Sequence, residues 1–180
     1  MNEQHYRRKT IGVVGSSTIT EEVAAAAREV GALICRKGAN LLCGGLGGVM
    51  QEACRGFADE RFRLGGKGYG VTVGLIPGVD SRDANPFVDL VIPTGMGMMR
   101  NFLVVQASDL LVSIAGGSGT LSELAIAWQK GKTIIALKPT GGWSMELAGR
   151  RIDGKRPDTV VEAAAVEDVE KGIDTILGTP

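Results

Sequence analysis

An α/β fold with a doubly wound, mostly parallel sheet is the class this sequence predicts, and three observations carry the prediction. Short apolar runs of four to six residues recur along the chain and read as near-continuous stripes, as strands covered on both faces do. Between them lie stretches with helical spacing and cap signals, so strand and helix alternate. Glycine supplies 27 of the 180 residues, about twice the usual ~7%, and its clusters follow apolar runs, where backbone must turn sharply or approach a ligand closely.

The elements follow in order. Ile11 to Gly15 is a buried strand ending in the tight turn Gly15-Ser16-Ser17. Thr20, with Glu21 and Glu22 behind it, caps a helix over 20–37. Leu41 to Cys43 is the second strand, the glycine-rich turn 44–48 follows, and a helix runs from Val49 to Phe62. A loop spans Gly65 to Gly70 and a third strand Val71 to Ile76. After the polar loop Pro77 to Pro86, Val88 to Ile92 is a fourth strand, and Thr94 to Gly97 leads into an apolar helix starting near Met98. Leu110 to Ala115 is the fifth strand, Gly116 to Thr120 opens a helix to Gln129, and Thr133 to Leu137 is the sixth strand. Thr140 to Gly154 reads as irregular, Thr159 to Glu162 as an edge strand, and Glu167 to Leu177 as a closing helix. Residues 1–10 are expected to be a flexible N-terminus, and 11–180 a single Rossmann-like nucleotide-binding domain. Right-handed crossovers then bring every strand-to-helix turn to one sheet edge, where such folds bind ligands.

Composition narrows the function. Twenty basic residues balance 20 acidic ones, which argues against a bulk electrostatic grip on nucleic acid or a membrane. No apolar run reaches the roughly 18 residues of a membrane helix, and Met1 to Thr10 is followed by no secretory h-region. The three cysteines, Cys35, Cys43 and Cys54, show no CxxC spacing; neither a disulfide scaffold nor a metal site is expected, and a reducing cytoplasmic setting fits. The lone histidine, His5, leaves almost no room for histidine-based catalysis.

No G-x-G-x-x-G occurs, and Gly131-Lys132-Thr133 lacks the P-loop glycine, Ile126 standing in its place. The strongest motif is Ala115 to Glu123 (AGGSGTLSE). Amides from Gly117 to Thr120 at the positive end of a helix form an anion seat beside Gly116, with the Ser118 and Thr120 hydroxyls as further donors and Gly119 leaving room for close approach. Glu123 lies one turn further on the face of Thr120, positioned for a sugar hydroxyl or a water. Arg100, followed by Asn101 and set among apolar neighbours, offers a fork suited to phosphate. Gly15, Ser16 and Ser17 bring hydroxyls to the same edge. Gly44, Gly45 and Gly48 supply either further amides or close helix–sheet packing. Met98, with Met50, Met96 and Met99, can stack on a flat ring or fill core.

With those residues assembled, the chain resembles the Lonely guy (LOG) superfamily, once labelled possible lysine decarboxylases, over Ile11 to Leu137. The shared features are the Gly15–Ser17 turn, the Gly44–Met50 turn, Arg100 and the GGxGTxxE block from Gly116 to Glu123. The resemblance implies Arg100 and Glu123 as the catalytic pair of a phosphoribohydrolase that cleaves nucleoside 5′-monophosphates to base and ribose 5-phosphate. Ala115 stands where that group has proline, and no histidine or lysine flanks Arg100. The Thr94-Gly-Met-Gly…Arg100-Asn101 form, Thr140-Gly-Gly-Trp143 and Ile152-Asp-Gly-Lys155 look more like a bacterial sister group similar to molybdenum cofactor carrier proteins. That likeness implies a phosphorylated, nucleotide-like ligand, the pterin phosphate of the molybdenum cofactor, with Met or Trp143 near the ring system. It also implies a homodimer or homotetramer. The apolar helix over 98–107 is continuous enough to be buried, a second subunit being one surface that would cover it.

Overall fold

The computed structural model describes residues 7–66 and 69–178. Its strands are β1 (Thr10–Gly15), β2 (Asn40–Cys43), β3 (Thr72–Ile76), β4 (Leu90–Pro93), β5 (Leu110–Ile114), β6 (Thr133–Leu137) and β7 (Val161–Ala163). The helices are α1 (Glu21–Arg36), α2 (Val49–Arg63), α3 (Arg100–Ala107), α4 (Ser118–Gln129), α5 (Gly142–Leu147) and α6 (Val166–Leu177). All seven strands pair in parallel in the order β4-β3-β2-β1-β5-β6-β7. The chain winds outward from β1 to one edge and from β5 to the other, so this single α/β domain is doubly wound and Rossmann-like, with its switch point between β1 and β5.

The period-2 alternation of the strands divides the core. Ile11 and Val13 of β1, with Leu110, Val112 and Ile114 of β5, pack under α1, α2 and α6. Val14 and Leu111 face the opposite layer, with Val104 and Val105 of α3 and Leu124 and Trp128 of α4. Glycine lets α1 and α2 meet backbone to backbone: a Cβ on Gly31 or on Gly56 would stand 1.9 Å from a carbonyl oxygen of the other helix.

Several expectations need correction. The fourth strand, Leu90–Pro93, starts two residues later and ends one later than expected, because the Asp89 carboxylate accepts from the Thr72 amide (2.8 Å) and from Arg61 (2.6 and 2.7 Å). The fifth strand ends at Ile114, since Ala115 has a left-handed φ of 54°. The apolar helix opens with a 3₁₀ turn at Gly97–Met99 and becomes α-helical only at Arg100. The supposedly irregular 140–154 contains α5. Within the expected flexible terminus, residues 7–10 are tied down: Arg7 pairs with Asp109, Arg8 donates to the Gly38 carbonyl (2.6 Å), and the Thr10 amide donates to Asp109 (2.8 Å). His5 and the remaining residues of 1–6 lie outside the described residues, as do Lys67 and Gly68 of the Gly65–Gly70 loop. Val104 and Val105 of the apolar helix are buried in the chain's own core.

Candidate functional site

At the switch point a cleft of about 580 Å³ opens between the turns after β1 and β5 and the start of α3. The turn after β1 depends on Gly15, where a Cβ would stand 2.3 Å from the Ile114 carbonyl oxygen and 2.8 Å from Val49 Cβ. Two hydrogen bonds anchor the next residue. The Ser16 carbonyl accepts from the Val49 amide (2.9 Å), and Ser16 Oγ accepts from the Gly116 amide (3.0 Å). The Ser16 hydroxyl proton remains available to a ligand, because Oγ is the acceptor in that second bond.

Across the cleft, α4 begins without a side-chain cap. Gly117 is its N-cap in an extended conformation (φ −101°, ψ −156°), and the first helical bond runs from the Leu121 amide to the Gly117 carbonyl (2.9 Å). The amides of Ser118, Gly119 and Thr120 therefore have no acceptor inside the helix, and these residues form one wall of the cleft. Glu123 is not a capping-box partner; it accepts from Arg100.

The turn feeding that helix is strained and held. Ala115 is the only non-glycine residue with positive φ among the described residues, a conformation costing about 1–2 kcal/mol. Its amide donates to Thr140 Oγ1 (2.7 Å), and its carbonyl accepts from the Ser144 amide (3.0 Å) and hydroxyl (2.7 Å). The Trp143 amide donates to the Gly116 carbonyl (3.1 Å). The short helix α5 is thus a brace under the β5–α4 turn.

Arg100 and Glu123 meet at the cleft floor. Their side chains are 9% and 8% exposed, and Nη1 donates to Glu123 Oε1 (3.2 Å) and to Asn101 Oδ1 (2.7 Å). Asn101 in turn donates to Ser122 Oγ (2.8 Å) and to the Gly119 carbonyl (3.4 Å), joining α3 to the first turn of α4. Arg100 Nε is buried without a partner. Burial pushes the Glu123 carboxyl up to about 7, outweighing the attraction of Arg100.

Of the residues singled out from sequence, Gly15, Ser16, Ser17, Met98, Arg100, Asn101, Gly117, Ser118, Gly119, Thr120 and Glu123 share the cleft wall. Gly44, Gly45, Gly48 and Gly116 are not in it, for steric reasons. A Cβ on Gly44 would stand 2.2 Å from Arg100 Nη2, on Gly45 2.6 Å from Ile76, on Gly48 2.3 Å from the Ser16 carbonyl, and on Gly116 2.6 Å from Thr120. These glycines let neighbouring parts close up behind the cleft. Trp143 lies on α5, outside the wall, while Met50 lines the cleft from α2. Sequence reasoning missed Thr18, Leu46, Pro77 and Gly97, which also line it. Thr18 is a third successive hydroxyl after Ser16-Ser17. Pro77 ends β3 on the ligand-binding sheet edge, so both carried a readable signal.

The sequence profile of the SLOG cluster4 family matches residues 8–170. The chain belongs to this family. An uncharacterized protein of Archaeoglobus fulgidus is 43% identical over 130 residues, covering 72% of this chain and 80% of that protein. The molybdenum cofactor binding protein of the phototrophic bacterium Rippkaea orientalis is 31% identical, with a TM-score of 0.79 over 95% of this chain and 98% of that one. The molybdenum cofactor carrier protein of Chlamydomonas reinhardtii is 28% identical, with a TM-score of 0.75 over 96% and 100%. The SLOG cluster4 chain is thus similar, along nearly its whole length, to proteins that bind or carry the molybdenum cofactor.

Proposed function

We propose that this SLOG cluster4 protein is a carrier-like binder of a pterin phosphate, with the molybdenum cofactor as its cargo. The observation that carries the proposal is the row of three unpaired amides, Ser118 to Thr120, facing the hydroxyls of Ser16 to Thr18 across a cleft of about 580 Å³. That donor set suits a phosphate. The volume lies within the range of small-molecule sites, and Met50, Met98, Leu46 and Pro77 supply apolar surface for a flat ring system. No thiol is among the lining residues, so the grip falls on phosphate and ring, not on the metal.

Titration of the protein with the molybdenum cofactor, or with its metal-free pterin, tests this. Saturable binding weakened at least tenfold by Ser118→Pro is expected. Binding that is absent, or indifferent to that substitution, overturns the proposal.

One observation favours a second reading: a carboxyl near pH-neutral pKa, paired with arginine, stands in the same cleft. A phosphoribohydrolase would use Glu123 to stabilise an oxocarbenium-like transition state or to orient water. Ribose 5-phosphate release from AMP or N6-substituted AMP, abolished by Glu123→Gln, would select it over the carrier reading. A homodimer or homotetramer belongs to either reading. The exposed Met98, Met99 and Phe102 around the start of α3 offer apolar surface for it, and sedimentation or light scattering measures it.

A further inference from the structure

Behind the cleft, Cys43 at the end of β2 and Cys54 in α2 bring their sulfurs to 3.7 Å, and both residues are fully buried. Neither sulfur lines the cleft or serves the proposed ligand. Cys43 Sγ also accepts from the Gly45 amide (3.3 Å), and the next residue, Gly44, lies against the Arg100 guanidinium. The pair flanks the glycine turn 44–48, with α2's first turn and a half between that turn and Cys54. Closing a disulfide asks the sulfurs to approach by less than about 2 Å, to a bond of about 2.05 Å.

We propose that Cys43 and Cys54 are an oxidation site: a peroxide converts them, within the folded chain, to an intramolecular disulfide that shifts the Gly44 turn beneath Arg100. Cys43 is the attacking sulfur: its contact with Cys54 Sγ (3.7 Å), the Gly45 amide that donates to it (3.3 Å) and the nearby Arg100 favour its thiolate, while Cys54 is driven the other way. The Cys43 thiolate attacks a peroxide oxygen, the O–O bond breaks, and water leaves after protonation, giving a sulfenic acid. Cys54 sulfur then attacks that sulfur, the S–O bond breaks, its thiol proton goes with the departing hydroxide, and a second water leaves. Two thiols and one hydrogen peroxide become one disulfide and two waters. Cys35, also buried but paired with no other sulfur, is the internal reference.

The test is independent of any ligand and hence of the function proposed above. The folded wild-type protein is treated with hydrogen peroxide, quenched, digested and analysed by mass spectrometry. A peptide pair linking residues 43 and 54, lighter by two hydrogens and restored by dithiothreitol, is expected, with Cys35 left as thiol. Cys43 and Cys54 that stay reduced, or that oxidise only to sulfinic acid or to links between chains, overturn the proposal. In Cys54→Ser, the Cys43 sulfenic acid is expected to persist and to be trapped by dimedone; trapping at Cys35 alone contradicts the assignment of the attacking sulfur. Hydrogen exchange of residues 44–48 should differ between reduced and oxidised wild type. Identical exchange refutes the link to the turn.

Discussion

Gly44→Ala is the perturbation that most directly tests how the cleft floor is built. The φ of Gly44 lies outside the left-handed region, so alanine meets no backbone objection. Its methyl, however, would stand 2.2 Å from Arg100 Nη2, 2.6 Å from Cζ and 2.7 Å from Nη1, well inside the roughly 3.5 Å of a normal contact. The end of a long side chain usually swings away at little cost. Arg100 is held instead: it is buried and donates to Asn101 and Glu123. Moving the guanidinium by an ångström breaks at least one charged hydrogen bond, at about 1.5–3 kcal/mol, and leaves the Glu123 carboxylate less compensated. A loss of about 2–3 kcal/mol at pH 8 follows, a fall in Tm of roughly 5–10 °C at this chain length. Gly47→Ala is the control from the same turn, because its Cβ meets nothing within 4 Å and its φ is not left-handed; it should change stability by no more than about 0.5 kcal/mol. Urea unfolding followed by circular dichroism reads both variants. Equal stability of the two would refute the claim that Gly44 exists to seat Arg100.

The other substitutions probe the remaining parts of the cleft. Burial lifts Glu123 from an ordinary 4.5 to about 7, so the folded state holds this proton more tightly than the unfolded one. Its stabilising effect is complete below about pH 4.5 and is lost as pH rises to about 7, some 3 kcal/mol over the interval. Glu123→Gln should therefore gain on wild type by about that amount between pH 4.5 and 8 in paired urea titrations, and a constant difference would contradict the raised pKa. Ala115→Gly relieves a left-handed φ and should stabilise by about 0.5–1 kcal/mol, opposite in sign to an ordinary buried alanine-to-glycine change; thermal unfolding decides. Ser118→Pro removes one seat amide at the first helical position, behind an extended Gly117 that tolerates a following proline. It should leave Tm within a few degrees while weakening a phosphorylated pterin about 10–100-fold beyond Ser118→Ala, as read by calorimetry.

The sheet was legible because burial on both faces leaves an uninterrupted apolar stripe, and β6 has the bounds read from sequence, Thr133–Leu137. What escaped has a tertiary origin. The six residues of α5 are too few for a helical period, and they are fixed by their bonds to the Ala115 and Gly116 carbonyls, more than 25 residues away in sequence. The apolar residues around Arg100 did signal that the charge needs a partner. Nothing in the spacing says that the partner is Glu123, because α3 and α4 meet only after β5 has passed through the sheet. The glycines of 44–48 posed a similar ambiguity: a cluster that cradles a ligand and one that cradles an arginine read alike until the arginine's position is known.

That distinction decides what kind of force holds a phosphate here. At pH 8, above the Glu123 pKa of about 7, the charge of Arg100, the only cation in the cleft wall among the described residues, is largely matched by Glu123 at 3.2 Å. The seat itself consists of neutral dipoles: three amides at the start of α4 and the hydroxyls opposite. Such a grip depends on direction and on partial desolvation, with little net charge to be screened over the roughly 8–10 Å Debye length of ordinary buffers. Affinity for a phosphorylated pterin at pH 8 should accordingly change by less than about threefold between 50 and 500 mM salt, a range over which surface ion pairing fades. Calorimetric titration across that range measures it. A steep decline would mean that Arg100 leaves Glu123 to meet the phosphate, and a decline abolished in Arg100→Met would identify that exchange as the binding step.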